Sequence, residues 1–346
     1  MSLDLEFRRF TCRLASPLET AHGPIEAREG FVVRISDGEH VGWGEATPLA
    51  EFTESLERCE RALECAATAI EAGPDAAIEA VDQTAAARHA VSLAMVDLGA
   101  VRESQPLYQA LGALERVARV PVNATIGDGT PAETARQAVR AVDAGFRCCK
   151  IKVGVRSVEA DIERLQHVRK AVGKNVELRA DANGAWTLPE ASHALDAFAS
   201  LDVAVLEQPL PAGALEGLAT LCGTGVSIAV DEGLLEHGVD ALAEADAADA
   251  VVLKPMALGG VDLASGIAAW VTELGWTPIV STTIDAVVAR TAAVHLAASI
   301  PDVPACGVAT GPLLESDLGR DPVFFESGQA VVPQAKGLGV GDVWPE

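Results

Sequence analysis

Residues 148–181 read CCKIKVGVRSVEADIERLQHVRKAVGKNVELRAD, and this stretch decides the fold. Cys148–Val153 and Val176–Asp181 have the two-residue alternation of strands, and Val158–Ala171 between them has the spacing of an amphipathic helix. The same rhythm runs outward on both sides. Val120–Ile126, Ala204–Glu207, Ser227–Asp231, Ala250–Lys254, Thr277–Thr282 and Cys306–Ala309 read as further strands, with helical patterns such as Pro131–Ala144 and Val261–Leu274 between most of them. Strands and helices in strict alternation predict an α/β fold, a modified (β/α)8 TIM-type barrel. The alternative is a doubly wound open sheet, which usually carries a Gly-rich phosphate loop after its first strand. Ile126-Gly127-Asp128-Gly129-Thr130 is not such a loop.

Upstream the pattern differs. Leu5–Arg13, Gly30–Ser36 and Glu39–Glu45 alternate like antiparallel strands, with Asp37-Gly38 as a hairpin turn. Thr53–Glu71 and Asp75–Arg102 are alanine-rich and helical in spacing. Residues 1–112 are therefore expected as an α+β domain and 113–320 as the barrel. The tail 321–346 lacks helical period and is expected to fold back onto the first domain.

The chain has 346 residues, 50 acids and 26 bases, for a net charge of −24. That surface repels nucleic acid and anionic membranes and excludes both as partners. The excess of acid points to a salt-rich cytoplasm, where it is screened. No run approaches the roughly 20 apolar residues of a membrane span. Met1–Phe10 holds Asp4, Glu6, Arg8 and Arg9 with no apolar leader pattern, so a cytoplasmic protein is expected. The seven scattered cysteines include no C-x-x-C pair and read as small buried hydrophobes. Oligomeric state is open, a homo-oligomer included.

The chemistry gathers at the carboxyl ends of the strands, where barrels carry their active sites. Lys150-Ile151-Lys152 ends the second strand, Arg179-Ala180-Asp181-Ala182-Asn183 the third and Glu207-Gln208-Pro209 the fourth. Asp231-Glu232 ends the fifth, and Lys254-Pro255 the sixth. Asp181, Glu207 and Asp231 follow one another at the spacing of a βα unit. Three hard oxygen ligands from neighbouring strands suit Mg²⁺, or Mn²⁺ in its place, and the absence of His and Cys from these positions weighs against zinc. Taken singly, Asp181 or Asp231 reads as a helix N-cap; Glu207, a poor cap followed by Pro209, does not. Lys150, Arg179, Asn183, Gln208 and Glu232 are expected to support these ligands.

Only six lysines occur (150, 152, 170, 174, 254 and 336), and three of them stand at these strand ends. Lys150 and Lys152 share one face, about 6.6 Å apart along a strand. Repulsion of roughly 2.5 kcal/mol at an effective dielectric of about 20, with a cation nearby, would free the Lys152 amine to take a proton next to a carboxylate. Lys254 comes from the far side of the barrel, to protonate or to stabilise charge. The plainer alternative makes all three lysines an electrostatic clamp on an anionic substrate.

This set resembles the muconate-lactonizing branch of the enolase superfamily: K-x-K on strand two, acids ending strands three to five, lysine ending strand six. Gly42-Trp43-Gly44-Glu45-Ala46 and Gln105-Pro106-Leu107-Tyr108 resemble that family's capping domain and its junction with the barrel, and Gly259-Gly260 its glycine pair after strand six. The resemblance implies Mg²⁺ on Asp181, Glu207 and Asp231, and Lys152 and Lys254 flanking a small-molecule carboxylate substrate. It also implies a loop around Thr20-Ala21-His22-Gly23 over the site, with His22 near substrate. The mandelate-racemase branch would end strand seven in histidine, where this chain has Ser281-Thr282-Thr283.

Pro121-Val122-Asn123-Ala124-Thr125-Ile126 and Cys306-Gly307-Val308-Ala309-Thr310-Gly311 resemble the first and last barrel strands of o-succinylbenzoate synthases. Dipeptide epimerases typically carry Asp-x-Asp in the last strand to hold an ammonium, and Ala309-Thr310-Gly311 offers no acid. The implied reaction is syn-dehydration of a succinyl-hydroxycyclohexadiene carboxylate through an enediolate, in menaquinone synthesis. Asn123, Ser281, Thr282 and Thr310 are the expected substrate contacts. Competing readings are an N-acylamino acid racemase, a muconate cycloisomerase or a dipeptide epimerase on the same scaffold. From another class comes a non-enzymatic acidic binding protein.

Overall fold

The computed structural model describes residues 3–20, 23–50 and 52–344. β1 (Asp4–Thr20), β2 (Gly23–Ser36) and β3 (Val41–Ala46) form an antiparallel sheet. Asp37 shapes the turn between β2 and β3, its Oδ1 accepting from the amides of Glu39 and His40 at 2.8 and 2.6 Å. Behind the sheet lie α1 (Leu56–Ala69), α2 (Pro74–Glu79) and α3 (Ala85–Arg102). α3 packs directly on β3: a Cβ at Gly42 or Gly44 would collide with the carbonyls of Ala94 and Ala90, so the glycines of Gly42-Trp43-Gly44 admit the helix backbone. The expected helix Asp75–Arg102 is broken at residues 80–84, between α2 and α3.

After α4 (Leu107–Ala110) and β4 (Arg119–Pro121) the barrel begins. Its parallel strands are β5 (Ala124–Ile126), β6 (Cys148–Lys152), β7 (Glu177–Asp181), β8 (Val203–Glu207), β9 (Ser227–Val230), β10 (Ala250–Leu253) and β11 (Thr277–Val280), paired in chain order. Around them run α5 (Pro131–Asp143), α6 (Val158–Val172), α7 (Leu188–Ser200), α8 (Leu215–Leu221), α9 (Glu232–Glu244), α10 (Pro255–Leu258), α11 (Val261–Glu273) and α12 (Val287–Ser299). Thr130 and Thr187 open α5 and α7 with capping boxes to Glu133 and Glu190. Strand alternation sends Ile151, Leu178, Ala180 and Leu206 outward into one core with Leu165 and Val168 of α6. Lys150, Lys152, Arg179 and Asp181 take the opposite face, toward the barrel interior.

Two expected strands take another form. Val120–Ile126 is divided: β4 joins the tail and only β5 joins the barrel. Cys306–Ala309 forms no ladder. It closes the barrel by isolated bridges, Val122 to Cys306 and Ser281 to Gly307. The tail holds β12 (Phe324–Glu326) and β13 (Gln329–Val331), and β13 pairs with β4. Further on, Leu338 donates its amide to Asp97 of α3 at 2.6 Å, and Trp344 packs 5.7 Å from Trp43.

Among the described residues, no helix is long and apolar enough to cross a membrane. All seven cysteines are free; five are buried, and burial lifts the Cys12 thiol to about 12, but Cys65 is exposed and Cys222 half-buried, so the expectation of buried thiols fails for Cys65.

Candidate active site

Register brings the site together. Lys152 pairs with Asp181 across β6 and β7, and Asp181 with Glu207 across β7 and β8. Glu207 pairs with Ala229 of β9, two residues before Asp231. Asn183 and Gln208, just past the strand ends, hold left-handed backbone with φ of 42° and 38°. Non-glycine residues rarely accept this, and such strain gathers at functional sites. Gln208 is buried and does specific work: its Oε1 accepts the amides of Asp231 at 2.9 Å and Gly233 at 3.1 Å. It fixes the turn that presents Asp231.

The charges interlock. Lys150 Nζ lies 2.8 Å from Asp181 Oδ2 and 2.7 Å from Glu207 Oε1. Lys152 Nζ donates to Asp181 Oδ2 and to Asn183 Oδ1, each at 2.7 Å. Lys254 Nζ donates to Asp231 Oδ2 at 2.5 Å and stands 4.0 Å from the centre of the Phe52 ring. Asp231 begins α9, yet its side chain makes no capping bond. The N-cap alternative therefore fails for it: the carboxylate is turned to Lys254.

Burial opposes charge throughout, and partners decide the outcome. Asp181 is held far below the usual carboxylate range because Lys150 and Lys152 outweigh its burial. Glu207 is pushed up to about 7 by burial and by Asp181, despite Lys150. Burial also raises Asp231, and Lys254 offsets only part of it. Lys150 and Lys254 are both raised above the usual lysine range, burial being outweighed by Asp181 and Glu207 for the first, and by Asp231 and Glu232 for the second. Repulsion between Lys150 and Lys152 is thus not the ruling interaction at Lys150: its amine lies between two carboxylates.

Among the described residues, no group of three or more His, Cys, Asp or Glu side chains is placed to hold a metal ion. The carboxylates are instead turned onto amines. The donor chemistry nevertheless fits a hard divalent cation. Four carboxylates (Asp181, Glu207, Asp231 and Glu232) gather at these strand ends, and the raised Glu207 and Asp231 show that the amines present do not fully offset them. Glu232 Oε2 is buried with no hydrogen-bond partner, while its Oε1 accepts from Asn183 Nδ2 at 3.3 Å. A buried ammonium bridging Asp181 and Glu207 already marks a place for positive charge between them.

Other expected site residues fall elsewhere. Arg179 turns away from the carboxylates, donating to Glu177 at 2.5 Å and to the Ala305 carbonyl at 2.8 Å. The expectation that it supports the ligands is therefore corrected: its guanidinium is held by Glu177, the first residue of β7, and by Ala305, just before the closure segment. Asn123, Ser281, Thr282 and Thr310 gather along that closing seam. Thr282 and Thr310 share a hydroxyl–hydroxyl bond of 2.9 Å, Ser281 donates to the Gly307 carbonyl at 3.4 Å, and Asn123 donates to Thr125 at 3.2 Å. His22 lies outside the described residues. Hollows of about 340 Å³ beside Arg136 and Arg140, and about 270 Å³ beside Trp43 and Asp97, contain none of the site residues.

Sequence reasoning missed three participants. Phe52 belongs to the loop after β3, so the first domain supplies an aromatic face to a barrel lysine; its only signal was an aromatic in a polar loop. Arg28 is buried and donates to the carbonyls of Thr47 at 2.8 Å, Pro48 at 3.2 Å and Ile284 at 3.3 Å, joining that loop region to the barrel. Arg164, behind Lys152, carried no signal beyond helical spacing.

Known proteins place this arrangement. The family model for the "Enolase C-terminal domain-like" family matches residues 133–341, and that for "MenC, N-terminal domain" matches residues 6–98. The chain belongs to the enolase superfamily and is an enzyme of that class. Within it, the relatives place the chain in the muconate-lactonizing-enzyme-like subgroup. The L-Ala-D/L-Glu epimerase of Bacillus subtilis is 30% identical over 352 residues, covering 97% of this chain and 95% of its own. The o-succinylbenzoate synthase of Thermobifida fusca is 32% identical over 316 residues, covering 90% of this chain and 83% of its own. A dipeptide epimerase from Enterococcus faecalis V583, solved with Mg and the dipeptide L-Leu-L-Tyr, matches with a TM-score of 0.87 at 29% identity, covering 99% of this chain and 100% of its own.

Proposed function

We propose that this enzyme is an o-succinylbenzoate synthase, dehydrating a 2-succinyl-6-hydroxycyclohexadiene-1-carboxylate in menaquinone synthesis. The observation that carries the reading is the rim around the closing seam. Residues 306–311 hold no acid, and Asp317 and Asp321, a few residues further on, are paired with Arg290. That segment offers a dipeptide's ammonium no carboxylate, whereas a succinyl group can take hydroxyl bonds from Ser281, Thr282 and Thr310 in exchange for those they make with Gly307 and with one another. The MenC-type match over residues 6–98 and the Thermobifida relative support the same choice.

Lys152 takes the proton next to the substrate carboxylate, and its ammonium then gives one to the departing hydroxyl on the same face. The ring becomes aromatic and water leaves. Lys254, whose amine is held cationic beside Asp231 and against Phe52, stabilises the charge that develops on the opposite face. Asp181, Glu207 and Asp231 would hold Mg²⁺, with Asn183, Gln208 and Glu232 supporting them. Bound there, the ion supplies positive charge to the substrate carboxylate as its α-carbon loses a proton.

A second reading, racemisation of N-acylated amino acids, is favoured by one feature: Lys152 and Lys254 are equipped alike, each amine bonded to an acid of the neighbouring strand. It too needs no ammonium pocket. The test is a dehydration assay with Mg²⁺ on wild type and Lys152→Ala. Wild type is expected to form o-succinylbenzoate, and the variant to lose about 10³-fold or more in kcat. No product from wild type removes the dehydration reading. Deuterium wash-in at the α-carbon of an N-succinylamino acid tests the second.

A further inference from the structure

The strand end that carries Lys152 is held from behind by a buried ion pair on α6. The Arg164 side chain is 1% exposed and that of Asp161 0%. Arg164 Nη1 donates to the Lys152 carbonyl at 2.8 Å and to Asp161 Oδ1 at 2.7 Å. Its Nη2 donates to the Gly127 carbonyl at 2.9 Å, and its Nε to Thr134 Oγ1 at 3.2 Å. Asp161 Oδ2 accepts the amide of Gly154 at 2.7 Å. One guanidinium therefore joins the ends of β5 and β6, and its carboxylate partner grips the chain two residues beyond Lys152.

Such a pair is not what stability alone would select. Desolvating two charges is costly, and apolar side chains of similar volume often hold a core as well or better. The surroundings supply that option, since Leu165, Val168 and Val158 of the same helix already pack in the barrel's apolar shell. What a planar fork adds is direction, because it spans two carbonyls at fixed angles.

We infer that Arg164, oriented by Asp161, is a positioning residue for Lys152. It fixes the backbone from which the amine reaches Asp181 and Asn183. Lys254 shares no bond with this pair; its amine rests on Asp231 and over Phe52. The two lysines are thus aimed by separate devices, and the effect of Arg164 is one-sided. The inference rests on the reading of Lys152 as the base, and its test uses the second reading, in which Lys254 exchanges protons on the opposite face.

The test is Arg164→Lys, which keeps a cation beside Asp161 but cannot span both carbonyls. The two enantiomers of N-succinylphenylalanine are incubated with each protein and Mg²⁺ in D₂O, and α-deuterium is read by mass spectrometry. Lys152→Ala and Lys254→Ala assign each enantiomer to its lysine. In Arg164→Lys, exchange on the Lys152 face is expected to fall about 10- to 100-fold, with the Lys254 face unchanged. A role confined to stability would slow both faces alike. Equal losses, or none, would overturn the inference. Amide hydrogen exchange of residues 151–154 is measured in parallel and is expected to quicken; unchanged protection would also overturn it. If Lys152→Ala exchanges both enantiomers normally, the reading of Lys152 as base fails, while amide exchange still decides whether Arg164 pins the strand end.

Discussion

Lys150 on β6 reaches over β7 to Glu207 on β8, and the pair closes at 2.7 Å. The same ammonium touches Asp181 at 2.8 Å, so one buried cation serves two carboxylates. That is not enough for Glu207, which stays near 7. A divalent ion bound by Glu207 must displace its proton. Mg²⁺ affinity is therefore expected to be flat above about pH 7 and to weaken below it, toward tenfold per pH unit. Isothermal titration at pH 6 and pH 8 checks this. Glu207→Gln should bind Mg²⁺ weakly with no step near pH 7; a pH-independent wild type would contradict the proposed ligand set.

Glu45 ties the first domain to the barrel. Wholly buried, it accepts the amides of Ala286 at 2.8 Å and Ala289 at 2.9 Å, at the start of α12, and the Thr47 hydroxyl. Glu45→Ala strands two amides in the interior and is expected to cost about 2–4 kcal/mol of unfolding free energy. Glu45→Gln keeps one acceptor and should lose less. Urea denaturation distinguishes them, and equal losses would show that the amides do not depend on the carboxylate.

Asp97 fastens the tail, accepting Leu338 N at 2.6 Å and Trp43 N at 2.8 Å. Burial lifts its carboxyl from 3.8 to about 7. Between those values the folded chain binds more protons than the unfolded one, so this group's contribution to stability falls as pH rises, on the order of 4 kcal/mol at most. Asp97→Asn cannot ionise. Its stability deficit against wild type is expected to narrow from pH 5 to pH 8 in urea titrations; a deficit that widens would refute the assignment.

The net charge of −24 predicts salt dependence. Self-repulsion is screened over about 10 Å at 0.1 M salt and about 3 Å at 1 M. The thermal midpoint is expected to rise steadily from 0.1 to 2 M KCl, as differential scanning calorimetry would record. A midpoint that falls over that range would mean that attractive surface pairs outweigh the repulsion.

The sequence by itself determined the alternating strand and helix order of the barrel and the identity of the charged strand ends. Those depend on local pattern: two-residue alternation puts Lys150, Lys152 and Asp181 on one face wherever the strand goes, and a βα unit has a fixed span. It also spoke for Glu207, which no capping role explained. Tertiary structure alone decided which charge meets which. Lys150 reaches Glu207 across an intervening strand, Arg179 swings to Ala305, Phe52 arrives over Lys254 from the other domain, and Arg164 grips Lys152 from a helix. Each of these depends on the end of a long side chain or the path of a loop, whose direction is set by packing against residues far away in the chain. The eighth strand was misjudged for a related reason. Cys306–Ala309 has the composition of a strand, but pairing depends on neighbours brought from elsewhere in the chain, and there it makes two isolated bridges.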